Sequence, residues 1–165
     1  MNGGSRQYKV IQWATGAMGK SCLRAIIDRP DLHLVGLYVY SPKKSGSDAG
    51  KIANRPETGI LASNDIEDIV ALDADLVVHA ARLGATHDSH DDDIVRLLKS
   101  GKNVLSINGN TFYPNWSKAR RDKLQAACEE GGVSFAGTGL NPGFAAERLL
   151  VTATSVCSAV SSVSL

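Results

Sequence analysis

The chain opens with an apolar run that leads directly into a glycine-containing turn, and this junction constrains the fold most strongly. Residues 8–13 are Tyr-Lys-Val-Ile-Gln-Trp, and residues 14–19 are Ala-Thr-Gly-Ala-Met-Gly. A buried strand, a tight turn and an amphipathic helix in this order are typical of the first unit of a dinucleotide-binding fold. The N–H groups at a helix N-terminus carry partial positive charge, so they can hold a pyrophosphate.

Three positions of this turn have distinct expected roles. Gly16 allows the backbone to approach the phosphates closely, and Gly19 allows the helix to pack tightly against the strand. The motif departs from G-x-G-x-x-G at its first position, where Ala14 stands. Because alanine disfavours a positive φ, we expect the first turn to differ slightly from the usual one.

Strand-like and helix-like segments alternate along the chain, which predicts parallel strands joined by helical crossovers. The predicted strands are 8–13, 33–40, 59–62, 75–80, 103–107 and 133–136, and a last one begins at 160–165. The predicted helices are 17–28, one capped by Asn64 with Glu67 in a capping box, 90–99, 116–130 and 142–156. In the 116–130 helix, Lys118, Arg120, Arg121 and Lys123 are expected to form a basic solvent face.

The predicted fold class is α/β, a Rossmann-type doubly wound parallel sheet in three αβα layers, with a second domain absent or only begun. Residues 1–7 are expected to be a disordered tail, 8–145 the dinucleotide-binding domain, and 146–165 a linking helix and the first strand of a second domain. With 165 residues, the chain is long enough for one well-packed domain.

The composition excludes several classes of partner. A net charge of +1 gives no reason to expect nucleic acid or an anionic membrane. There is no apolar run of membrane-spanning length and no signal-peptide core, so we expect a cytoplasmic protein. Cys22, Cys128 and Cys157 each lie in an apolar helical pattern, which indicates buried free thiols in a reducing compartment.

One acidic and histidine-rich segment, His87-Asp88-Ser89-His90-Asp91-Asp92-Asp93, is similar in composition to a metal site. Acidic residues in the first turn of a helix also offset its dipole, and Asp88 or Ser89 can cap it. We favour the second interpretation and expect no metal.

The end of the second predicted strand bears on the choice of cofactor. An acidic residue there accepts hydrogen bonds from the adenosine ribose of NAD. This chain has no acid between Leu37 and Gly46, and offers Ser41, Lys43 and Lys44 instead. A hydroxyl and two ammonium groups suit the 2′-phosphate of NADP, although NAD remains possible. The alternative is a solvated lysine pair on a loop.

Other candidate residues follow the later strands, whose carboxyl ends meet at the same cleft. Small side chains at Ala80 and Ala81 leave room for the ribose and nicotinamide, and His79 is either packed at the strand end or an acid–base group. Asn108 and Asn110 can hydrogen-bond but cannot ionise. Asn141 either contacts the nicotinamide amide or the ribose, or serves as a hinge and cap residue.

Four segments together resemble a known family. These are 10–19 (VIQWATGAMG), 38–44 (YVYSPKK), 75–81 (DLVVHAA) and 137–144 (GTGLNPGF). They are similar to the N-terminal half of dihydrodipicolinate-reductase-like proteins, in particular the branch of 2,4-diaminopentanoate dehydrogenases and native amine dehydrogenases. The resemblance covers nearly all of the chain, in order and at matching spacing.

The resemblance implies an NAD(P)-dependent oxidoreductase that transfers hydride between nicotinamide and an amine or imine carbon. It implies that Thr15, Gly16, Ala17, Met18 and Gly19 bind the pyrophosphate. It also implies that Ser41, Lys43 and Lys44 bind the 2′-phosphate, and that Ala80 and Ala81 border the nicotinamide. Characterised amine dehydrogenases of this kind use a glutamate after the fifth strand, where this chain has Asn108 and Asn110.

Three functional alternatives stay open on the sequence. The chain is the cofactor domain of a two-domain oxidoreductase, a non-enzymatic nucleotide-binding or regulatory module, or a short enzyme whose site is completed by a partner subunit. We expect a small-molecule amine or imine as substrate, a homodimer formed through the unpaired 160–165 strand, and no turnover by this chain alone.

Overall fold

The computed structural model of the chain describes residues 6–86, 88–108, 110 and 116–164. Six parallel strands form one sheet in the order β3-β2-β1-β4-β5-β6. The strands are β1 Tyr8–Trp13, β2 Leu32–Tyr38, β3 Ala62–Ser63, β4 Leu76–His79, β5 Asn103–Ser106 and β6 Phe135–Gly137. This order reverses direction between β1 and β4, as in doubly wound nucleotide-binding folds, and confirms the predicted fold class.

Helices cover both faces of the sheet. They are α1 Ala17–Asp28, a 3₁₀ turn Pro42–Lys44, α2 Ala49–Ala53, α3 Ile66–Val70, α4 Asp91–Lys99, α5 Lys118–Gly131, and a helical segment Leu140–Leu150 that continues into α6 Val151–Thr154. Among the described residues, no helix is long and apolar enough to cross a bilayer.

Alternating side chains of the central strands build two separate cores. Ile11, Trp13 and Val77 point to the face covered by α4 and α5, where they join Ile94 and Leu97. The neighbouring positions point to the opposite face, where Val10, Leu23, Ile26, Leu34 and Leu37 form the second core beneath α1 and α2. The two-residue period of a strand explains this division, because successive side chains leave opposite faces of the sheet.

The capping box predicted at Asn64 is wrong by one residue. Asp65 is the N-cap of α3, and its carboxylate accepts the Glu67 N–H at 2.9 Å. The Glu67 side chain forms an ion pair with Arg96 of α4. This tertiary contact competes with the local bond that a capping box requires.

The chain after β6 differs from the sequence prediction. Helix ends at Thr154 rather than Val156, and residues 160–164 form no strand, while Leu165 lies outside the described residues. A strand requires a neighbour to accept its backbone hydrogen bonds, and none of the described strands pairs with this segment. Of the expected tail, residues 1–5 lie outside the described residues, whereas the Arg6 guanidinium lies 5.1 Å from the centre of the Tyr8 ring.

The thiols are less buried than expected. Cys22 and Cys128 are half-buried, and Cys157 is exposed beyond the end of α6. All three are free. The helix ends at Thr154, three residues before Cys157.

Candidate functional site

The carboxyl ends of the central strands surround a cleft of about 510 Å³, located where the strand order reverses. One wall consists of the turn after β1 and the segment after β2. The other consists of the segments after β4 and β5. The lining residues are 14–19, Tyr40, Ser41, Lys44, 80–83, Ile107 and Asn108.

The turn after β1 presents an open helix N-terminus to this cleft. Gly16 is the N-cap of α1, and no side chain in the described part of the chain caps the helix. A Cβ atom built on Gly16 would meet no atom within 4 Å, so the glycine leaves an empty space beside the first turn. Uncapped N–H groups at the end of a 12-residue helix attract an anion, and this space admits one.

Gly19 has the packing role expected from the sequence. A Cβ atom at Gly19 would lie 2.3 Å from the Ala14 carbonyl oxygen and 3.5 Å from Nε2 of Gln12. Gln12 is fully buried, and its Nε2 donates to the Ala14 carbonyl oxygen at 2.9 Å. The first turn of α1 therefore rests directly on the backbone of the turn.

The expectation for Ala14 is wrong, because this residue has φ of 72°. The turn thus keeps the left-handed conformation that glycine usually supplies at this position. Two hydrogen bonds hold it there: the Ala14 N–H donates to the Tyr38 carbonyl oxygen at 2.9 Å, and its own carbonyl accepts from Gln12. Surrounding bonds can offset the strain of an alanine in this region.

The structure separates the two lysines that the sequence treats as a pair. Lys44 lines the cleft, and its Nζ donates to Oγ1 of Thr15 at 2.9 Å and to the Thr15 carbonyl oxygen at 3.1 Å. Lys43 is exposed and does not line the cleft, whereas Ser41 does. The Lys44 ammonium group consequently lies beside the turn that carries Gly16.

The later candidates also divide into residues that line the cleft and residues that do not. Ala80 and Ala81 are buried and line it, as does Asn108, whose buried Nδ2 has no hydrogen-bond partner among the described residues. Asn110 is buried and turned away into the interior, where it bonds Arg120 and Ser106. Asn141 is exposed, has extended backbone at the start of the helical segment, and does not line the cleft.

His79 is packed inside the protein. It is fully buried against Trp13 and His90, with ring centroids 6.0 and 5.4 Å away. Burial, together with the nearby His90, lowers the pKa of His79 to about 3. The imidazole is therefore neutral near pH 7, which favours the packed interpretation over an acid–base role.

The acidic segment before and within α4 is engaged in protein contacts. Asp91 pairs with Arg120, and Asp92 with Lys123. His90 is the N-cap, so the predicted capping by Asp88 or Ser89 is wrong; Ser89 donates instead to the Thr86 carbonyl oxygen at 2.7 Å. His87 lies outside the described residues. Within the described part of the chain, no group of three or more potential metal ligands is assembled.

Sequence analysis assigned no role to four residues of the cleft. Arg82 and Leu83 follow Ala81, Ile107 precedes Asn108, and Tyr40 comes shortly after β2. Burial raises the pKa of Tyr40 to about 12, and its hydroxyl accepts the Trp13 indole N–H at 3.0 Å. All four lie within four residues of the carboxyl end of a strand, and this position was the available signal. Among the described residues that line the cleft, the charged ones are Lys44 and Arg82, both basic.

A sheet of this order, with a glycine-lined turn and an open helix N-terminus at its reversal, defines a Rossmann-type NAD(P)-binding domain of the kind that oxidoreductases use. Comparison with known families agrees. The family described as dihydrodipicolinate reductase, N-terminus, matches residues 10–137, so the chain belongs to this family.

Two individual relatives of this chain support the same family assignment. An amine dehydrogenase from Streptomyces virginiae is 34% identical over 140 residues, covering 81% of this chain and 38% of that protein. A 4-hydroxy-tetrahydrodipicolinate reductase from Paraburkholderia phymatum is 29% identical over 127 residues, covering 76% of this chain and 44% of that protein. The chain thus spans about two fifths of the length of these two relatives.

A solved structure agrees on the fold. The amine dehydrogenase from Mycobacterium smegmatis superposes with a TM-score of 0.72 at 21% identity, covering 80% of this chain and 39% of that protein. At this identity the superposition supports the architecture alone.

Proposed function

We propose that this chain binds NADP in preference to NAD, as the cofactor-binding part of an oxidoreductase that acts on an amine or imine carbon. The observation that carries the proposal is the cleft itself. An uncapped helix N-terminus beside Gly16 and the Lys44 ammonium group share one wall. Both attract phosphate.

The preference for NADP follows from the charge of the cleft. Its two charged lining residues are Lys44 and Arg82, and no carboxylate among the described lining residues is available to a free ribose 2′-hydroxyl. Ser41 lines the same wall and adds a hydroxyl donor. A charge-assisted hydrogen bond to phosphate contributes about 1.5–3 kcal/mol, which corresponds to a preference on the order of tenfold or more.

The proposed type of reaction is inferred from the relatives of this chain. Nicotinamide carries the hydride, and the protein holds the cofactor and orients it. On the proposed function, residues 15–19 hold the pyrophosphate, and Ala80 and Ala81 leave space for the nicotinamide ribose. Asn108 offers an amide hydrogen-bond donor on the same wall as these alanines. Because Asn108 does not ionise, we assign it no acid–base role.

The extent of the domain and its assembly belong to the same proposal. Residues 8–145 form the dinucleotide-binding domain, and 146–165 lead into a second domain that contributes substrate-binding residues. A cytoplasmic homodimer remains a prediction, although the 160–165 strand on which it was based does not form at residues 160–164. Sedimentation velocity of the chain with and without NADP measures the oligomeric state.

Calorimetric titration with NADP and NAD tests the proposed cofactor preference. We expect tighter binding of NADP, and we expect Lys44→Ala to reduce the difference to about twofold or less. Lys43→Ala is the matched control, because Lys43 adjoins Lys44 but is exposed and outside the cleft. Equal affinity for both nucleotides in the unmutated chain would show that NADP is not preferred, and binding of neither would refute the proposal altogether.

A further inference from the structure

A buried ion pair joins the two helices on one face of the sheet. Arg120 of α5 donates to both carboxylate oxygens of Asp91 on α4, each at 2.7 Å. The side chains are only 10% and 6% exposed. Sequence analysis placed Arg120 on the solvent face of α5. This expectation is wrong, because the side chain is buried against Asp91, and its guanidinium lies 4.3 Å from the centre of the Trp116 ring.

This ion pair continues as a chain of hydrogen bonds to the segment after β5. Arg120 Nη2 donates to Oδ1 of Asn110 at 2.8 Å, and Asn110 Nδ2 donates to Oγ of Ser106 at 3.0 Å. A guanidinium can donate hydrogen bonds but cannot accept them, so the Asn110 amide must turn its oxygen toward Arg120. The amide nitrogen must then face Ser106.

The chain of bonds ends at the cleft. Ser106 Oγ also accepts the backbone N–H of Asn108 at 3.3 Å. With both acceptor positions of this hydroxyl used, its own proton is directed to Nδ1 of His79 at 3.5 Å. The backbone of Asn108, which lines the cleft, is therefore connected through Ser106 and Asn110 to Arg120.

The connected wall is the one opposite the adenosine position. In this fold the end of β2 faces the adenosine ribose, so the segments after β4 and β5 face the nicotinamide half. Asn108 lies on that second wall with Ala80 and Ala81. A network that fixes Asn108 thus acts on one half of a bound dinucleotide.

We propose that Arg120, held by Asp91, is a positioning residue that fixes the segment after β5, and with it Asn108, for contact with the nicotinamide half of the cofactor. The proposal rests on the proposed function, because it assumes a dinucleotide in the cleft. A purely structural ion pair between α4 and α5 makes a different prediction. Such a pair affects stability without distinguishing the two halves of the ligand.

The test compares NADP with 2′,5′-ADP, which lacks the nicotinamide half, by calorimetric titration. Asn110→Ala disconnects Arg120 from Ser106 and leaves the ion pair with Asp91 in place. We expect this variant to bind NADP about three- to tenfold more weakly, the effect of losing about one hydrogen bond. Its affinity for 2′,5′-ADP should remain within twofold of the unmutated value.

Two further variants separate positioning from general stability. Arg120→Lys keeps the charge but loses the bidentate geometry, so we expect the same selective loss to a smaller extent. Lys123→Ala is the matched control, because Lys123 forms an exposed ion pair with Asp92 between the same two helices. It should leave the affinity for both ligands unchanged.

The outcomes distinguish this inference from the proposed function. If the unmutated chain binds neither ligand, the proposed function fails. If it binds both, and Asn110→Ala leaves both affinities unchanged or weakens both equally, the positioning role of Arg120 is refuted. Failure of Arg120→Lys to fold does not affect this test, because Asn110→Ala keeps the buried charges paired.

Discussion

A single added methyl group should affect different properties at the two glycines of the first turn. Gly19 faces backbone: an added Cβ would lie 2.3 Å from the Ala14 carbonyl oxygen and 2.9 Å from its carbon, where ordinary contacts are 3.4–4 Å. At Gly16, an added Cβ would have no described atom within 4 Å. We predict that substitutions at Gly19 destabilise the fold, whereas Gly16→Ala mainly weakens cofactor binding.

The size of the effect at Gly19 follows from two opposing contributions. Overpacking against a rigid backbone costs about 1–3 kcal/mol, and the contact distance here favours the upper half of that range. An alanine in a helix recovers about 1 kcal/mol relative to glycine. Gly19→Ala should therefore lose about 1–2 kcal/mol of stability and roughly 2–8 °C in Tm, and Gly19→Val more, because valine recovers less.

Gly16→Ala provides the matched comparison. Its backbone has φ of −67°, which alanine adopts freely, so the change in stability should stay near 0.5 kcal/mol, the usual loss at an N-cap. The new methyl group occupies the space that the pyrophosphate would fill, and NADP affinity should fall by about tenfold or more.

Thermal denaturation followed by circular dichroism, together with calorimetric titration of NADP, measures both properties. A Gly19→Val variant with unchanged Tm and affinity would show that this glycine has no packing role. A Gly16→Ala variant that binds NADP like the unmutated chain would refute the location of the pyrophosphate site.

Three other predictions concern strain, pH and turnover. Ala14→Gly should raise stability by about 0.5–1 kcal/mol, since relief of the positive φ outweighs the added entropy of the unfolded chain; a lower Tm would contradict this. His79 has a folded pKa of about 3, well below its unfolded value, so its contribution to stability is lost as the pH falls from about 6.5 toward 3. Urea unfolding between pH 6 and 4 should show His79→Phe lowering the slope of stability against pH by about 1.4 kcal/mol per unit, and an equal slope would refute the neutral imidazole. The isolated chain should show no NADP reduction with a panel of short amines and diamines, and steady turnover that Gly16→Val abolishes would place an active site within these residues.

Much of the architecture could be predicted from local patterns in the sequence. The first strand and helix match their predicted bounds, 8–13 and 17–28, because an uninterrupted apolar run and a helical repeat are adjacent there. The later strands are correctly ordered but shifted by one to three residues at their ends. The short helix Ala49–Ala53 was missed, since five residues are too few to show a helical period.

Only part of the candidate site could be predicted from local sequence patterns. Glycines and small residues at strand ends were assigned to the cleft, because the carboxyl ends of parallel strands meet at one edge of the sheet. Which of two neighbouring polar residues faces the cleft could not be decided. Lys44 and Asn108 line it, while Lys43 is exposed and Asn110 is buried.

The sequence alone determined the alternation of strands and helices, the position of the glycine-containing turn between the first strand and the first helix, and the family. Each of these depends on spacing over a few residues, which backbone geometry converts directly into structure. Only the tertiary structure decided the left-handed backbone of Ala14, the burial of Arg120 and its connection to the cleft. These features depend on partners 10–29 residues away along the chain, such as Tyr38, Asp91 and Asn110, whose positions are set only when the sheet and helices pack together.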